Sequence, residues 1–141
     1  MFIPKAIALA TLSAAALLAG CHSERVSFKQ DVRPVLEHNC AVCHSPGGIG
    51  YEMTGFSVQS YATLMKGSKF GPLVIPGSSQ QSDLIWLLRH RASPAMSMPK
   101  MCEGLATADG KCAVASAHAR MLPASQVDMI ARWIDQGARD N

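Results

Sequence analysis

Cys40-Ala41-Val42-Cys43-His44 is the stretch on which the reading of this chain turns. Cysteines at i and i+3 project from one side of a helical turn, so both can reach one edge of a planar ring. The imidazole that follows can swing beneath that ring and meet a metal at its centre. C-x-x-C-H therefore reads as the attachment signature of a c-type haem, with two thiols adding across the porphyrin vinyl groups. Three other readings of the same residues stay open: a thioredoxin-like C-x-x-C, half of a zinc site, and a disulfide pair.

Composition sets bounds on the rest. The 141 residues are enough for one domain. The formal net charge is +3, and residues 1–20 contribute only Lys5 to it, which leaves +2 from Cys21 onward. Two haem propionates would bring that to neutrality. No strongly basic field remains, so no nucleic acid partner is expected. Aromatic residues make up only 6% of the chain. A domain so poor in large side chains builds a modest core, and a buried haem would supply missing apolar volume.

Residues 1–20 read as an export signal. Lys5 is the short positive region, and Ala6 to Gly20 is uncharged and rich in Ala and Leu. That run suits a signal h-region better than a membrane span. Leu18-Ala19-Gly20-Cys21 resembles a bacterial lipobox, which implies cleavage before Cys21 and acylation of Cys21. The alternative is an ordinary signal cut near Gly20, with Cys21 a spare thiol. A multiply acylated N-terminus anchors stably to a membrane. His22, rather than Asp, follows the cysteine, which by the usual sorting pattern favours the outer membrane. The expected location is the periplasm, where covalent haem attachment also takes place.

The domain division that follows is signal peptide 1–20, polar linker 21–27 and a single domain over 28–138. Asp31 is a candidate N-cap, with Pro34 in the first turn of a helix. Val32, Val35, Leu36 and Cys40 recur at helical spacing along it. Pro46-Gly47-Gly48 is expected to end this helix just after His44, and the Gly-rich residues 45–58 read as loop. A short helix over Ser60 to Lys66 would turn Tyr61, Leu64 and Met65 inward and stop at Gly67. Leu73 to Ser78 reads as an extended turn, with Val74 and Ile75 as haem walls. Ser82 is expected to cap a well-buried helix over Asp83 to Arg91, with Trp86 packing in the core. Ser125 and Asp128 form a capping-box pattern ahead of Val127, Ile130, Ala131 and Ile134, and Gly137 ends that last helix.

With these residues in hand, the chain resembles the planctomycete-type cytochrome c domains. Phe28-x-x-Asp31-Val32-Arg33-Pro34-Val35-Leu36 and Cys40-x-x-Cys43-His44 carry the likeness at the start. Ile75-Pro76-Gly77, Ser82-Asp83-Leu84, Met98-Pro99 and Ile130-x-x-Trp133-Ile134-x-x-Gly137-Ala138 continue it in the family's order. The resemblance implies an all-α, class I cytochrome c-like fold of several short helices around one covalently bound haem. It implies that Cys40 and Cys43 hold the haem and that His44 is the proximal iron ligand. The sixth ligand carries over onto Met98, whose soft thioether suits low-spin iron and raises its potential. Met121 is the main rival, Met96 and Met101 are weaker ones, and His38, His90 and His118 would be needed for a bis-histidine site. The chain departs from the family at Lys100 to Arg120, which reads as an insertion.

Cys102 and Cys112 fall in that insertion. With Cys21 assigned to lipid and Cys40 and Cys43 to haem, they are left to pair. A disulfide there would add about 2–3 kcal/mol by chain entropy; a metal site with His118 is the alternative. The expected function is single-electron transfer in the cell envelope without catalysis, through transient contact with other redox proteins. The alternative is a haem enzyme or gas-binding protein with a displaceable sixth ligand.

Overall fold

The computed structural model describes residues 24–93, Met96, Met98 and residues 121–141. Over these residues the fold is all-α. Among the described residues there are five helices and no β-strand: α1 (Arg33–Cys40), α2 (Ile49–Thr54), α3 (Tyr61–Lys66), α4 (Asp83–Leu88) and α5 (Ala124–Asp135).

α1 continues directly from a π-helical turn over Phe28–Val32. The wide turn begins at Ser27, not at Asp31 as the sequence pattern predicts. The Ser27 hydroxyl accepts from the Gln30 N–H, and the Asp31 carboxylate accepts from the Ser27 N–H at 2.8 Å. Each side chain thus covers a backbone donor that the helix start leaves bare. The widening falls on the turn before Pro34, which has no N–H to give and whose ring would press on the carbonyl four residues back.

Phe28, Val32 and Leu36 form one buried stripe at i, i+4, i+8. α5 answers with Val127, Ile130, Ala131, Trp133 and Ile134. Phe28 sits at the crossing, 5.3 Å edge-on from Tyr61 and 5.4 Å from the Trp133 ring. Such aromatic pairs contribute beyond their buried area. The polar ends of these rings are also satisfied: the Tyr61 hydroxyl donates to the Ala138 carbonyl, and the Trp133 indole N–H to that of Arg139. The chain after α5 then binds back to the start of the fold. Asn141 accepts from the Phe28 N–H through its side chain and from the Lys29 N–H through its main-chain oxygen. Val26 is buried as well, so the packed unit reaches beyond 28–138 at both ends.

The middle of the chain departs from expectation in two places. Residues 45–58 contain α2, capped at its end by Gly55 in the left-handed conformation, φ 70°. α2 buries no residue, so no apolar period marks it. α4 stops at Leu88, three residues short of the expected Arg91, and Trp86 on it is 46% exposed. The Trp86 indole N–H donates to the Gln80 carbonyl, so the ring lies along the surface and not in the core.

The proposed caps also differ. Ser82 stands at the N-cap of α4, but its hydroxyl donates to the Ser78 carbonyl and accepts from the Ile75 N–H. It holds the 75–78 turn instead of the helix. α5 starts at Ala124 after Pro123, without a side-chain cap, and Asp128 pairs with Arg89 at 2.9 Å. α3 keeps close to its expected range and ends at Gly67, but Ser60 stands outside it as the N-cap, in a reciprocal capping box with Thr63.

Trp133 is 1% exposed and packs on Phe28, which ties α5 to the π-helical turn ahead of α1. Replacing it with Ala should lower the unfolding free energy by about 3–5 kcal/mol. Ser27→Ala should cost about 1 kcal/mol. Guanidinium unfolding of the two variants checks both values and their order.

Candidate haem site

α1 ends on the first residue of the motif, and the motif continues its last turn. The Cys40 carbonyl accepts from the N–H groups of Cys43 at 3.2 Å and His44 at 2.8 Å. Two further carbonyls are taken by later segments. That of Cys43 accepts from the Tyr51 N–H in α2 at 2.9 Å, and that of His44 from the Val58 N–H at 3.0 Å. The chain thus folds back twice onto the five residues.

So close a return leaves no room for side chains at two points. A Cβ on Gly48 would stand 2.5 Å from the Cys43 carbonyl oxygen and 2.7 Å from that of Val42. A Cβ on Gly50 would stand 2.7 Å from Cε1 of the His44 ring. On another side of that ring lies Phe56, with centroids 5.2 Å apart at 67°.

The electrostatics favour neutral groups throughout. Burial of the Cys40 sulfur, aided by the neighbouring Cys43, pushes its thiol pKa up to about 12. Burial also raises the Cys43 thiol. Burial lowers the His44 imidazole, an effect partly opposed by the backbone of Phe56. Nδ1 of His44 is sealed from water and has no hydrogen-bond partner.

These properties separate the readings that the motif left open. A thioredoxin-like pair works through a thiolate of lowered pKa, whereas burial raises both thiols of this turn. Cys40 and Cys43 are unpaired thiols. Among the described residues no three His, Cys, Asp or Glu side chains gather as a metal site. Two neutral thiols one helical turn apart, beside a neutral buried imidazole with an orphaned nitrogen, fit an apolar macrocycle with a metal at its centre. Cys40 and Cys43 would hold such a ring, and His44 would meet its iron.

Of the other candidate residues, Met98 is half-buried, and its N–H donates to the Leu87 carbonyl at 3.1 Å near the end of α4. Met96 and Met121 are 57% and 68% exposed. His38 and His90 are exposed too, and His90 has a left-handed backbone, φ 52°. Val74 belongs to the main core, and Ile75 is half-buried. Cys21, Met101, Cys102, Cys112 and His118 lie outside the described residues. Gly50 and Phe56 were not among the expected site residues. The glycines read only as loop, and the alternation Phe56-Ser57-Val58 was too short to stand out.

An all-α chain whose first helix delivers C-x-x-C-H into a closed turn defines a class, the haem-binding cytochromes of c type. A family model described as Planctomycete cytochrome C matches residues 40–101. Over these residues the chain is similar to a planctomycete-type cytochrome c domain. The match takes in the C-x-x-C-H turn, Ile75-Pro76-Gly77, Ser82-Asp83-Leu84 and Met98-Pro99; the flanking patterns at Phe28 to Leu36 and Ile130 to Ala138 lie outside it. No curated protein and no solved structure matches the chain.

The lowered His44 pKa makes stability depend on pH. In the unfolded chain this imidazole takes up a proton near its ordinary value of 6.5; in the folded chain it does so only at lower pH. Its contribution is therefore complete above 6.5 and is lost as pH falls through the window below. In the haem-free chain the guanidinium unfolding midpoint should be lower at about pH 5.5 than at about pH 7.5.

Proposed function

We propose that the chain is a single-haem cytochrome that carries one electron at a time at the cell envelope. The observation that supports this best is the pairing of two neutral thiols with a buried imidazole that lacks a partner at one nitrogen. The haem would supply a ferric–ferrous couple.

The residues divide the work among themselves. Cys40 and Cys43 would hold the ring by two thioether links, so it could not dissociate between redox states. His44 would bind the iron on the proximal side. Met98, which precedes Pro99 in the sequence, would be the sixth ligand. With both ligands in place the iron would need no substrate, which is the basis for electron transfer over catalysis. Val42, between the two thiols, is 46% exposed, so an edge held by Cys40 and Cys43 would be reachable from solvent. Partners would be other redox proteins that touch this edge briefly over a small area.

The envelope location rests on residues 1–20 as an export signal and on Cys21 as a lipidated anchor at the periplasmic face of a membrane, with the outer membrane preferred. Cys102 and Cys112 would then meet in an oxidising compartment, where a disulfide forms.

A haem-stained denaturing gel and an optical spectrum test the reading together. The full chain should keep its haem on the gel, and Cys40→Ser with Cys43→Ser should lose it. The ferric protein should show a methionine–iron charge-transfer band that Met98→Ala abolishes while haem is retained. Survival of the band moves the sixth ligand to Met121 or another methionine. Rapid carbon monoxide binding with peroxide turnover by the unaltered protein would show an open sixth site and sink the electron-carrier reading.

A further inference from the structure

We propose that Gly50 is a positioning residue for the axial histidine: its missing side chain sets the tilt of the His44 imidazole. This rests on the haem reading above. An axial histidine is ordinarily oriented through its second ring nitrogen, by a hydrogen bond to a carboxylate, a backbone carbonyl or water. Here Nδ1 is sealed from water, and the hydrogen-bonding influence on the ring comes from the Phe56 backbone. Close packing adds a second constraint on the ring.

Gly50 supplies that constraint in an unusual way. Glycine inside a helix costs about 1 kcal/mol relative to alanine, and is tolerated where the backbone needs a left-handed conformation. Gly55 meets that need at the end of α2, with φ 70°. Gly50 does not, since it lies within α2 in right-handed helical backbone. Its lack of a side chain answers a demand for space. A Cβ there would meet His44 Cε1 at 2.7 Å, the Cys43 carbonyl oxygen at 3.0 Å and His44 Nδ1 at 3.0 Å. Separations under 3.0 Å force a neighbour to move, and the mobile neighbour is the imidazole. Cε1 lies between the two ring nitrogens, so pressure on it tilts whichever one faces the iron. Retreat is limited by the Phe56 ring, 5.2 Å away, which is itself buried. The hydrogen bonds from Tyr51 to the Cys43 carbonyl and from Val58 to the His44 carbonyl keep Gly50 and Phe56 in register with the ring.

A methyl group at position 50 should thus leave the helices intact and disturb the iron. A tilted imidazole donates less to the metal, which favours the ferrous state and loosens the axial bond. The test uses the haem-loaded full chain carrying Gly50→Ala. Helical circular dichroism and haem staining should match the unaltered protein. The redox midpoint should rise, the ferric low-spin resonance signal should change, and carbon monoxide binding should increase several-fold. Gly47→Ala is the control, since a Cβ there meets nothing within 4 Å although φ is +85°; it should cost stability and leave the iron signals unchanged. A Gly50→Ala protein with native midpoint and native resonance signal overturns the proposal. If Gly50→Ala fails to load haem, adding Phe56→Leu should give the ring room and restore loading; continued failure of the double variant also overturns it. An unaltered protein without haem on the gel overturns the parent reading instead, so the two failures are distinct.

Discussion

A turn that presents two thiols and an imidazole to a flat ring must also dispose of its own carbonyl groups, and that requirement shapes the middle of this molecule. Buried backbone oxygens left unpaired are costly. The Cys40 carbonyl is used within the turn, but those of Cys43 and His44 have no helix to continue into. Tyr51 and Val58 supply the missing N–H groups. For those donors to arrive, residues 45–58 must reverse direction and lie against the motif. α2 is the result. It buries none of its own side chains, so its place is fixed by what its backbone does for Cys43 and by the packing of Gly50 on His44. The loss of side chains at Gly48 and Gly50 follows from the same closeness.

The other half of the fold stands on a different footing. Phe28, Tyr61 and Trp133 join the start of the domain, α3 and α5 in one aromatic cluster, and hydrogen bonds to Ala138, Arg139 and Asn141 tie the end of the chain onto it. Asp135 extends this frame by accepting from both the N–H and the hydroxyl of Ser79. The Gly77 N–H donates to the Ile134 carbonyl in the same region. The apolar core therefore closes around the helix crossing, while the motif end of α1 is held mainly by backbone hydrogen bonds. A macrocycle linked at Cys40 and Cys43 would add its apolar mass on the side where the protein's own core is thinner.

Much of this was legible from residue patterns because the elements concerned bury a regular face. The α1 stripe, the inward face of α3 ahead of its Gly67 stop, and the α5 stripe all rest on 3.6-residue periodicity, and each is present. What escaped lacks a local signal. α2 is six residues with no buried face. The caps at Asp31, Ser82 and Ser125 were chosen by residue type, yet tertiary contacts decided otherwise: Ser27 serves the first helix because it also reaches Asn141, and Ser82 is drawn to the 75–78 turn. Trp86 lies at the surface because its indole N–H finds a carbonyl outside the helix. In the site, the motif itself was plain, but Gly50 matters through a distance to His44 that no spacing rule contains.

The two proposed iron ligands hang from separate supports. His44 is governed by the returning segments 48–58. Met98 is governed by α4, through the bond from its N–H to the Leu87 carbonyl, and α4 is placed in turn by three of its own side chains in the core, Leu84, Ile85 and Leu88. The Leu84 N–H also bonds to the Leu73 carbonyl, and Ser82 binds the adjoining 75–78 turn, so α4 and that turn move together. An exposed pair such as Arg89–Asp128 contributes little to this placement. Iron held between these supports would couple two units that otherwise communicate only through the core. A strain on either support would then reach the iron as a change in one bond and not the other. The proximal bond would depend on packing against a glycine and a phenylalanine, and the distal one on where α4 ends. In the electron-carrier reading, that separation would let the two ligands be tuned independently by substitutions that need not touch the haem.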